Sequence, residues 1–500
     1  MLISNKNPNI ILIMSDTVRP DLLGCMGGLD GVTPNLDRLA GEGVLFDNAH
    51  TCSPVCGPAR CSLLTGTYPQ VHQAFENGFE RLDNLPVFTD ALKKQGYHNI
   101  MVGKTHFGKI PESFDVVYPA PRPPGLGIFH TDEEFTGNEE NPEELGCDAD
   151  WTNRFIQEIE KAKDANNPLF AFCSLNSPHD PLNPPGRFRT MFKDAELPPI
   201  NYTPGEEDRQ PELLRKLLGI KDDEKLQAYP GRESHPFNAA QGAIYDESLL
   251  DEINDFRRLY YGYMAYNDAL IGKILDYIDT NGLKENTLII FTSDHGQSYF
   301  DHGFNDKHNF YDESFRVPLI MRLPGKIPAG VKRGFATTTD VTATILAAGG
   351  TSCDTICGFD LITPIIKGEP NPRNCAVGVL CGYIALATER YKIEYYLHDT
   401  TGRLFDRIID PAEQMDLYYS ESHKEVRDKM LTILLNWYAN TFNLNYLRTH
   451  SSKGGPVATR SKRYMDSIDG LASERILEKQ LVKAYAAVSG GCRYATPGVG

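Results

Sequence analysis

The chain reads as an α/β protein, a doubly wound and mostly parallel sheet followed by a smaller α+β unit with a short antiparallel sheet. Three features predict this. The apolar runs Asn9–Met14, Leu169–Leu175 and Thr287–Thr292 are continuous rather than alternating, as expected of strands covered on both faces. Segments of helical period separate them, which is the alternation of a parallel sheet. Beyond about residue 375 the pattern changes to short apolar stretches broken by turns, the mark of antiparallel strands.

Taken in order, Asn9–Met14 runs into Ser15-Asp16-Thr17, an acid at the carboxyl end of a buried strand, where α/β sheets place their ligands. Thr33 and Pro34 suit the N-cap and first position of a helix. Val44–Phe46 reads as a short strand leading to Cys52–Gly66. In that stretch Pro58 marks a helix start, with Cys56 just before it and Arg60 one turn on. A helix N-terminus attracts anions and lowers a thiol pKa. Val87–Gln95 reads as an amphipathic helix and Asn99–Val102 as a strand ending in Gly103-Lys104-Thr105-His106. A helix over Asp150–Ala165 precedes Leu169–Leu175, which ends in Asn176-Ser177-Pro178-His179-Asp180-Pro181.

Residues 182–245 are polar and rich in Pro and Gly, an excursion that shapes substrate choice. Asp246–Ile278 is mostly helical, and its tyrosines Tyr260, Tyr261, Tyr263 and Tyr266 suit packing. Thr287–Thr292 ends in Ser293-Asp294-His295-Gly296, followed by Asp301-His302-Gly303 and Lys307. Arg316–Met321 reads as a strand and Asp340–Ala348 as a helix. Val377–Val379, Ile384–Ala387 and Tyr391–Leu397 read as antiparallel strands. Leu404–Leu417 carries an Asp-Pro-Ala-Glu turn, Glu425–Asn440 a helix, and Asn443 starts a polar tail. The expected division is 1–374 for a catalytic domain and 375–500 for a smaller C-terminal domain with its tail.

With 500 residues, 41% hydrophobic and 23% charged, this is a globular composition large enough for two cores. The net charge of −17 argues against a nucleic-acid surface. No run approaches the ~20 apolar residues of a membrane span, and the short polar start lacks a signal-peptide core, so a cytoplasmic location is expected. The 11 cysteines form no paired zinc pattern. The tail makes a homo-oligomer plausible.

The strand-end residues make a chemical set. Asp16, Cys56, Asp294 and His295 have the donor types of a divalent-metal site. Arg60, Lys104, His106, His179 and Lys307 supply cations for an anionic sulfuryl or phosphoryl group, whose transfer depends on positioning and charge neutralisation.

Cys56-Gly57-Pro58-Ala59-Arg60 with Leu64-Thr65-Gly66 resembles the Cys-x-Pro-x-Arg signature of the sulfatase family, within the alkaline-phosphatase-like superfamily. Ser15-Asp16, Gly103-Lys104-Thr105-His106, Pro178-His179, Ser293-Asp294-His295-Gly296 and Asp301-His302-Gly303 with Lys307 follow in the family's order, and the resemblance covers most of the chain. It implies hydrolysis of a small sulfate ester of carbohydrate, choline or aryl type to an alcohol and sulfate. It implies that a formylglycine-generating maturation enzyme converts Cys56 to Cα-formylglycine, whose hydrate attacks sulfur and then expels sulfate. It also implies that Asp16, Asp294 and His295 hold calcium together with residue 56. By the same resemblance Arg60 and Lys104 stabilise the hydrate, His106 assists its turnover, and His179 and Lys307 bind sulfate. Asn77 and His302 are weaker candidates for substrate binding.

Two departures stand out. Many family members carry two adjacent acids where this chain has Asp16-Thr17, and some have Asp-Asn where it has Asp294-His295. Both features occur in relatives that hydrolyse phosphonate monoesters and phosphodiesters with manganese or zinc, which makes that activity, and those metals, the alternative. A non-catalytic binding protein with unmodified Cys56 is the third reading.

Overall fold

A computed structural model describes residues 7–83, 85–119, 135–165, 167–217, 243–353, 355–397 and 401–441. In chain order its strands are β1 (Asn9–Ser15), β2 (Val44–His50), β3 (His98–Gly103), β4 (Val116–Pro119), β5 (Leu169–Leu175), β6 (Ala243–Ile244), β7 (Thr287–Ser293), β8 (Phe304–Asn305), β9 (Leu319–Arg322), β10 (Val331–Thr337), β11 (Cys375–Leu380), β12 (Tyr383–Thr388), β13 (Tyr391–Tyr396) and β14 (Thr401–Asp406). Eight of them form one sheet in the order β10-β2-β9-β7-β1-β5-β3-β4. Every residue of β5 and β7 is buried, which is why their sequences are apolar without alternation.

The two faces of the sheet bury separate cores. Ile11 and Ile13 of β1 face a core that takes in Phe256, Met264, Leu270 and Ile274 of the long helix Leu250–Thr280. Ile10, Leu12 and Met14 face the other, with Leu63 of the helix Cys56–Thr65 and Val341 and Ile345 of the helix Thr338–Ala348. The tyrosines of the long helix pack as expected, but Tyr260 does more, donating from its hydroxyl to the Thr17 carbonyl at 2.6 Å.

The sheet is mixed rather than purely parallel, because β9 runs antiparallel to both β2 and β7. The expected strand Arg316–Met321 is β9, shifted to Leu319–Arg322, while Arg316 makes only an isolated bridge to His50. The edge strands β4 and β10 escape an apolar-run reading, since β4 is half exposed and β10 alternates at its start.

The C-terminal unit is a four-stranded antiparallel sheet in the order β11-β12-β13-β14. It has one strand more than the sequence suggests, because Leu404, at the head of the segment that carries the Asp-Pro-Ala-Glu turn, lies within β14, paired with Ile393. The helix Lys424–Thr441 covers it with Leu434 and Trp437. The Trp437 ring meets Tyr68 edge to face at 4.8 Å, fastening this unit to the segment that follows the Cys56 helix. The tail from Asn443 and residues 218–242 of the expected excursion lie outside the described residues. No described helix is long and apolar enough to cross a membrane.

Candidate active site

Strand register builds the centre of the site. β1 and β7 pair in parallel with Ser15 opposite Ser293, so Asp16 and Asp294 leave the sheet side by side. Thr17 then adopts a left-handed φ of 63°. This turns its N–H onto Asp294 Oδ1 at 3.1 Å and its hydroxyl onto Asp16 Oδ1 at 2.7 Å. On the other side β3 pairs with β5, Gly103 opposite Ser174. A Cβ on Gly103 would lie 2.1 Å from the Ser174 carbonyl, so only glycine permits this approach. Lys104 and the loop Asn176–His179 therefore emerge next to Asp16.

Cys56 comes from the end of β2. It is the first residue of the helix Cys56–Thr65, not the residue before it, with Val55 as the extended N-cap and Gly66 in the left-handed region closing the helix. The whole helix is buried, and Arg60 projects from its first turn onto both carboxylates. Its Nε donates to Asp294 Oδ2 and its Nη2 to Asp16 Oδ2, each at 2.8 Å. Its Nη1 donates to Ser174 Oγ at 2.6 Å. Lys104 Nζ is 2.8 Å from Asp16 Oδ2 and donates to Asn176 Oδ1 at 3.2 Å.

The Cys56 thiol lies 3.0 Å from His295 Nε2, 3.4 Å from Lys307 Nζ and 3.7 Å from Asp16 Oδ1. Lys307 Nζ also reaches His179 Nε2 at 3.1 Å. The two imidazoles are held from behind. His295 Nδ1 is 2.7 Å from the Gly296 carbonyl and His179 Nδ1 is 2.5 Å from the Asp180 carbonyl. A carbonyl can only accept, so each Nδ1 carries a proton and each Nε2 points inward.

Charge balance follows from this crowding. Burial pushes the Asp16 carboxyl up, but Lys104, His179, Arg60 and His295 together hold it well below the usual carboxylate range. Asp294 moves the other way, raised by burial and by the Asp16 charge. Burial and Asp16 oppose ionisation of Cys56, yet Lys307, His295 and Lys104 bring the thiol well below its ordinary value. Burial disfavours the charged form of His295, and Asp294 and Cys56 outweigh it and raise the imidazole. The site is thus a pocket of positive field in an acidic protein.

One ligand atom each from Asp16, Cys56, Asp294 and His295 lie within 4.8 Å of one another, and all four residues are buried. Two carboxylates, an imidazole and a sulfur of low pKa are a donor set that fits a divalent cation.

The remaining sequence candidates are placed differently. His106 has a left-handed φ of 47°, and its Nδ1 has no hydrogen-bond partner among the described residues. Asn77 accepts with Oδ1 from the Gly57 N–H at 2.9 Å, capping the start of the Cys56 helix. His302 turns away into a set of carboxylates, with Nδ1 2.6 Å from Glu206 Oε1 and Nε2 3.4 Å from Glu313 Oε2, and its ring stacks on Tyr311. These contacts anchor the loop to Glu206 and Glu313. Sequence reasoning missed Ser174, Asn176, Thr17 and Asn267, which bridges Ser15 and Ser177. Asn176 carried a signal, since it directly follows a buried strand; Ser174, inside that strand, carried none.

A donor cluster for a divalent cation, ringed by fixed cations at the carboxyl edge of a wound α/β sheet, defines a hydrolase of anionic esters. The chain belongs to the sulfatase family. The family model described as Sulfatase matches residues 8–351, and one described as N-sulphoglucosamine sulphohydrolase, C-terminal, matches residues 300–439. The chain is 24% identical over 480 residues to an N-acetylglucosamine-6-O-sulfatase of Bacteroides thetaiotaomicron, covering 86% of each chain. It is 28% identical over 476 residues to an arylsulfatase of Clostridium perfringens, covering 86% of this chain and 94% of that one. Its fold is similar to the crystal structure of a phosphonate monoester hydrolase of Agrobacterium radiobacter, with a TM-score of 0.74 and 23% identity. The match covers 87% of this chain and 96% of that one.

Proposed function

We propose that this sulfuric ester hydrolase converts R–O–SO3⁻ to R–OH and sulfate with a formylglycine hydrate made from Cys56 and a divalent metal held by Asp16, Asp294, His295 and residue 56. The observation that carries the reading is the position of Cys56, in contact with His295, Lys307 and Asp16 at once. A thiol there is the precursor; its sulfur stands where the hydrate oxygens would sit. The hydrate supplies an oxygen nucleophile, and a bound cation would supply Lewis-acid polarisation of a sulfate oxygen. Calcium is the family's expectation. The imidazole nitrogen and the presence of only two carboxylates make manganese or zinc the alternative.

The chain's own residues do the rest. Arg60 fixes both carboxylates through its fork and keeps them from repelling each other. Lys104 neutralises Asp16 and faces the space above it. Lys307 and His179, 3.1 Å apart, offer a paired cradle for sulfate oxygens. With its Nδ1 held by Asp180, His179 presents Nε2 to the leaving oxygen and, once protonated, donates to it. His106, with its unpartnered Nδ1, is the group available for proton transfer during turnover of the hydrate.

The substrates are small sulfate esters of sugar, choline or aryl alcohols, and a formylglycine-generating enzyme is the partner in maturation. A second reading, hydrolysis of phosphonate monoesters or phosphodiesters, is favoured by Thr17, which donates to Asp16 where many family members carry a second acid. Rates on aryl sulfate, aryl phosphonate and phosphodiester substrates separate the two, with the aryl sulfate expected to turn over fastest. Faster turnover of phosphonate or diester would favour the second reading.

A further inference from the structure

Two imidazoles flank Lys307, and the proposed reaction uses only one of them, His179. The other is His308, paired with Glu76, Nε2 to Oε1 at 3.2 Å. Two backbone contacts press this pair against the reacting residue. The His308 N–H donates to the carbonyl of Pro54, two residues before Cys56, at 3.3 Å. Asn77, next to Glu76, caps Gly57. A Cβ on Gly57 would lie 3.0 Å from Asn77 Oδ1 and 3.6 Å from the His106 carbonyl, so the 76–77 turn sits directly on the start of the Cys56 helix. From behind, the Tyr383 hydroxyl donates to the His308 carbonyl and fixes the pair to the C-terminal sheet.

The pair is more exposed than the residue it packs against. Cys56 is 1% exposed, whereas the side chains of His308 and Glu76 are 18% and 31% exposed. Glu76 Oε1 is occupied, by His308 and by the Asn77 N–H at 2.8 Å. Glu76 Oε2 has no hydrogen-bond partner among the described residues. Burial raises the Glu76 carboxyl but His308 brings it below its ordinary value, and Asp306 and Glu76 outweigh burial to raise His308 to about 10. His308 is therefore an imidazolium between two carboxylates, Glu76 and Asp306, whose Oδ1 lies 3.7 Å from its Nδ1. The second Glu76 oxygen is left as an oriented acceptor for a hydroxyl donor.

We infer that Glu76, held by His308, forms a hydroxyl-binding subsite that selects a polyhydroxylated alcohol, a sugar, as the R group of the sulfate ester. This rests on the sulfatase reading above. A site built to pair with a hydroxyl discriminates strongly against an analogue without one. The test uses the enzyme with Cys56 converted, the 2-, 3-, 4- and 6-sulfates of glucose and galactose, and 4-nitrophenyl sulfate. The wild type is expected to favour at least one sugar sulfate. Glu76→Gln keeps an oxygen for the Asn77 N–H. It is expected to lose about tenfold to a hundredfold in kcat/KM on that sugar, chiefly through KM, and to stay within about twofold on the aryl ester. Equal losses on both substrates, or none on either, overturn the inference. So does a wild type that prefers 4-nitrophenyl sulfate to every sugar sulfate, which leaves the sulfatase reading standing. A converted wild type that hydrolyses choline sulfate but none of these overturns the inference alone, and one that hydrolyses neither these nor choline sulfate overturns both.

Discussion

Arg60 has no free edge: Asp294, Asp16 and Ser174 take its three nitrogens within 2.8 Å. It is the residue that lets two carboxylates stay buried together. Cys56, by contrast, makes contacts that plain packing would not need, and its thiol ionises far more readily than a buried thiol should. Cys56→Ala is therefore expected to fold with a Tm close to that of the wild type and to lose essentially all turnover of a sulfate ester. Full activity in that variant, measured beside its melting curve, would sink the formylglycine reading. Intact-protein mass spectrometry of chain purified from its native host supplies the complementary measurement, expected to show the thiol replaced by an aldehyde.

At the scale of elements, the loop after β7 is held by His302. This imidazole is buried among Glu206, from the helix Glu206–Arg209, and Glu313, from the helix Asp312–Phe315. Burial lowers its pKa, but Glu313 and Glu206 outweigh this and raise it to about 9 from an ordinary 6.5. The folded protein thus holds this proton more tightly than the unfolded chain does. The stabilisation is complete below about pH 6.5 and is lost as pH rises through about 9, on the order of 3 kcal/mol in all. Denaturant unfolding at pH 6 and pH 9.5 checks this. The wild type is expected to weaken over that interval, and His302→Gln to be weaker at pH 6 and to change less. The same bolts connect the early part of the 182–245 segment to the C-terminal unit. Asn201 donates to the Ala412 carbonyl at 2.9 Å and Arg403 donates to Gln210 Oε1 at 2.8 Å.

At the scale of the molecule, a protein of net charge −17 gathers Arg60, Lys104, His179, His295 and Lys307 around Asp16. Asp16 and Asp294 come from different strands, so a cation bound to both would tie β1 to β7. A ligand that binds only the folded state stabilises it by mass action. Dialysis against a chelator is expected to abolish turnover and to lower Tm by several degrees, with calcium, manganese or zinc restoring both. A Tm indifferent to chelator and to all three metals would count against the metal site.

Much of the site was legible in the sequence because parallel sheets deliver their strand ends to one edge. Asp16, Lys104, His179 and Asp294 all follow buried apolar runs, and the Cys56–Arg60 spacing is that of one helical turn. The direction of β9 was not legible, since a four-residue strand with three apolar residues looks the same whichever way it runs. Nor was the role of His302, a histidine in a loop whose partners lie 96 residues away at Glu206 and 11 away at Glu313.

What the sequence by itself determined is the wound α/β sheet, the change to an antiparallel unit near residue 375, and a set of acids and cations at the strand ends. These depend on local periodicity and on short spacings, which a single chain displays directly. Only the tertiary structure decided which cation faces which acid. Arg60 holds both carboxylates, Lys307 joins Cys56 to His179, His302 leaves for its own acids, and Glu76 meets His308 across 232 positions. Long-range pairing of side chains is a property of packed surfaces, and no spacing along the chain encodes it.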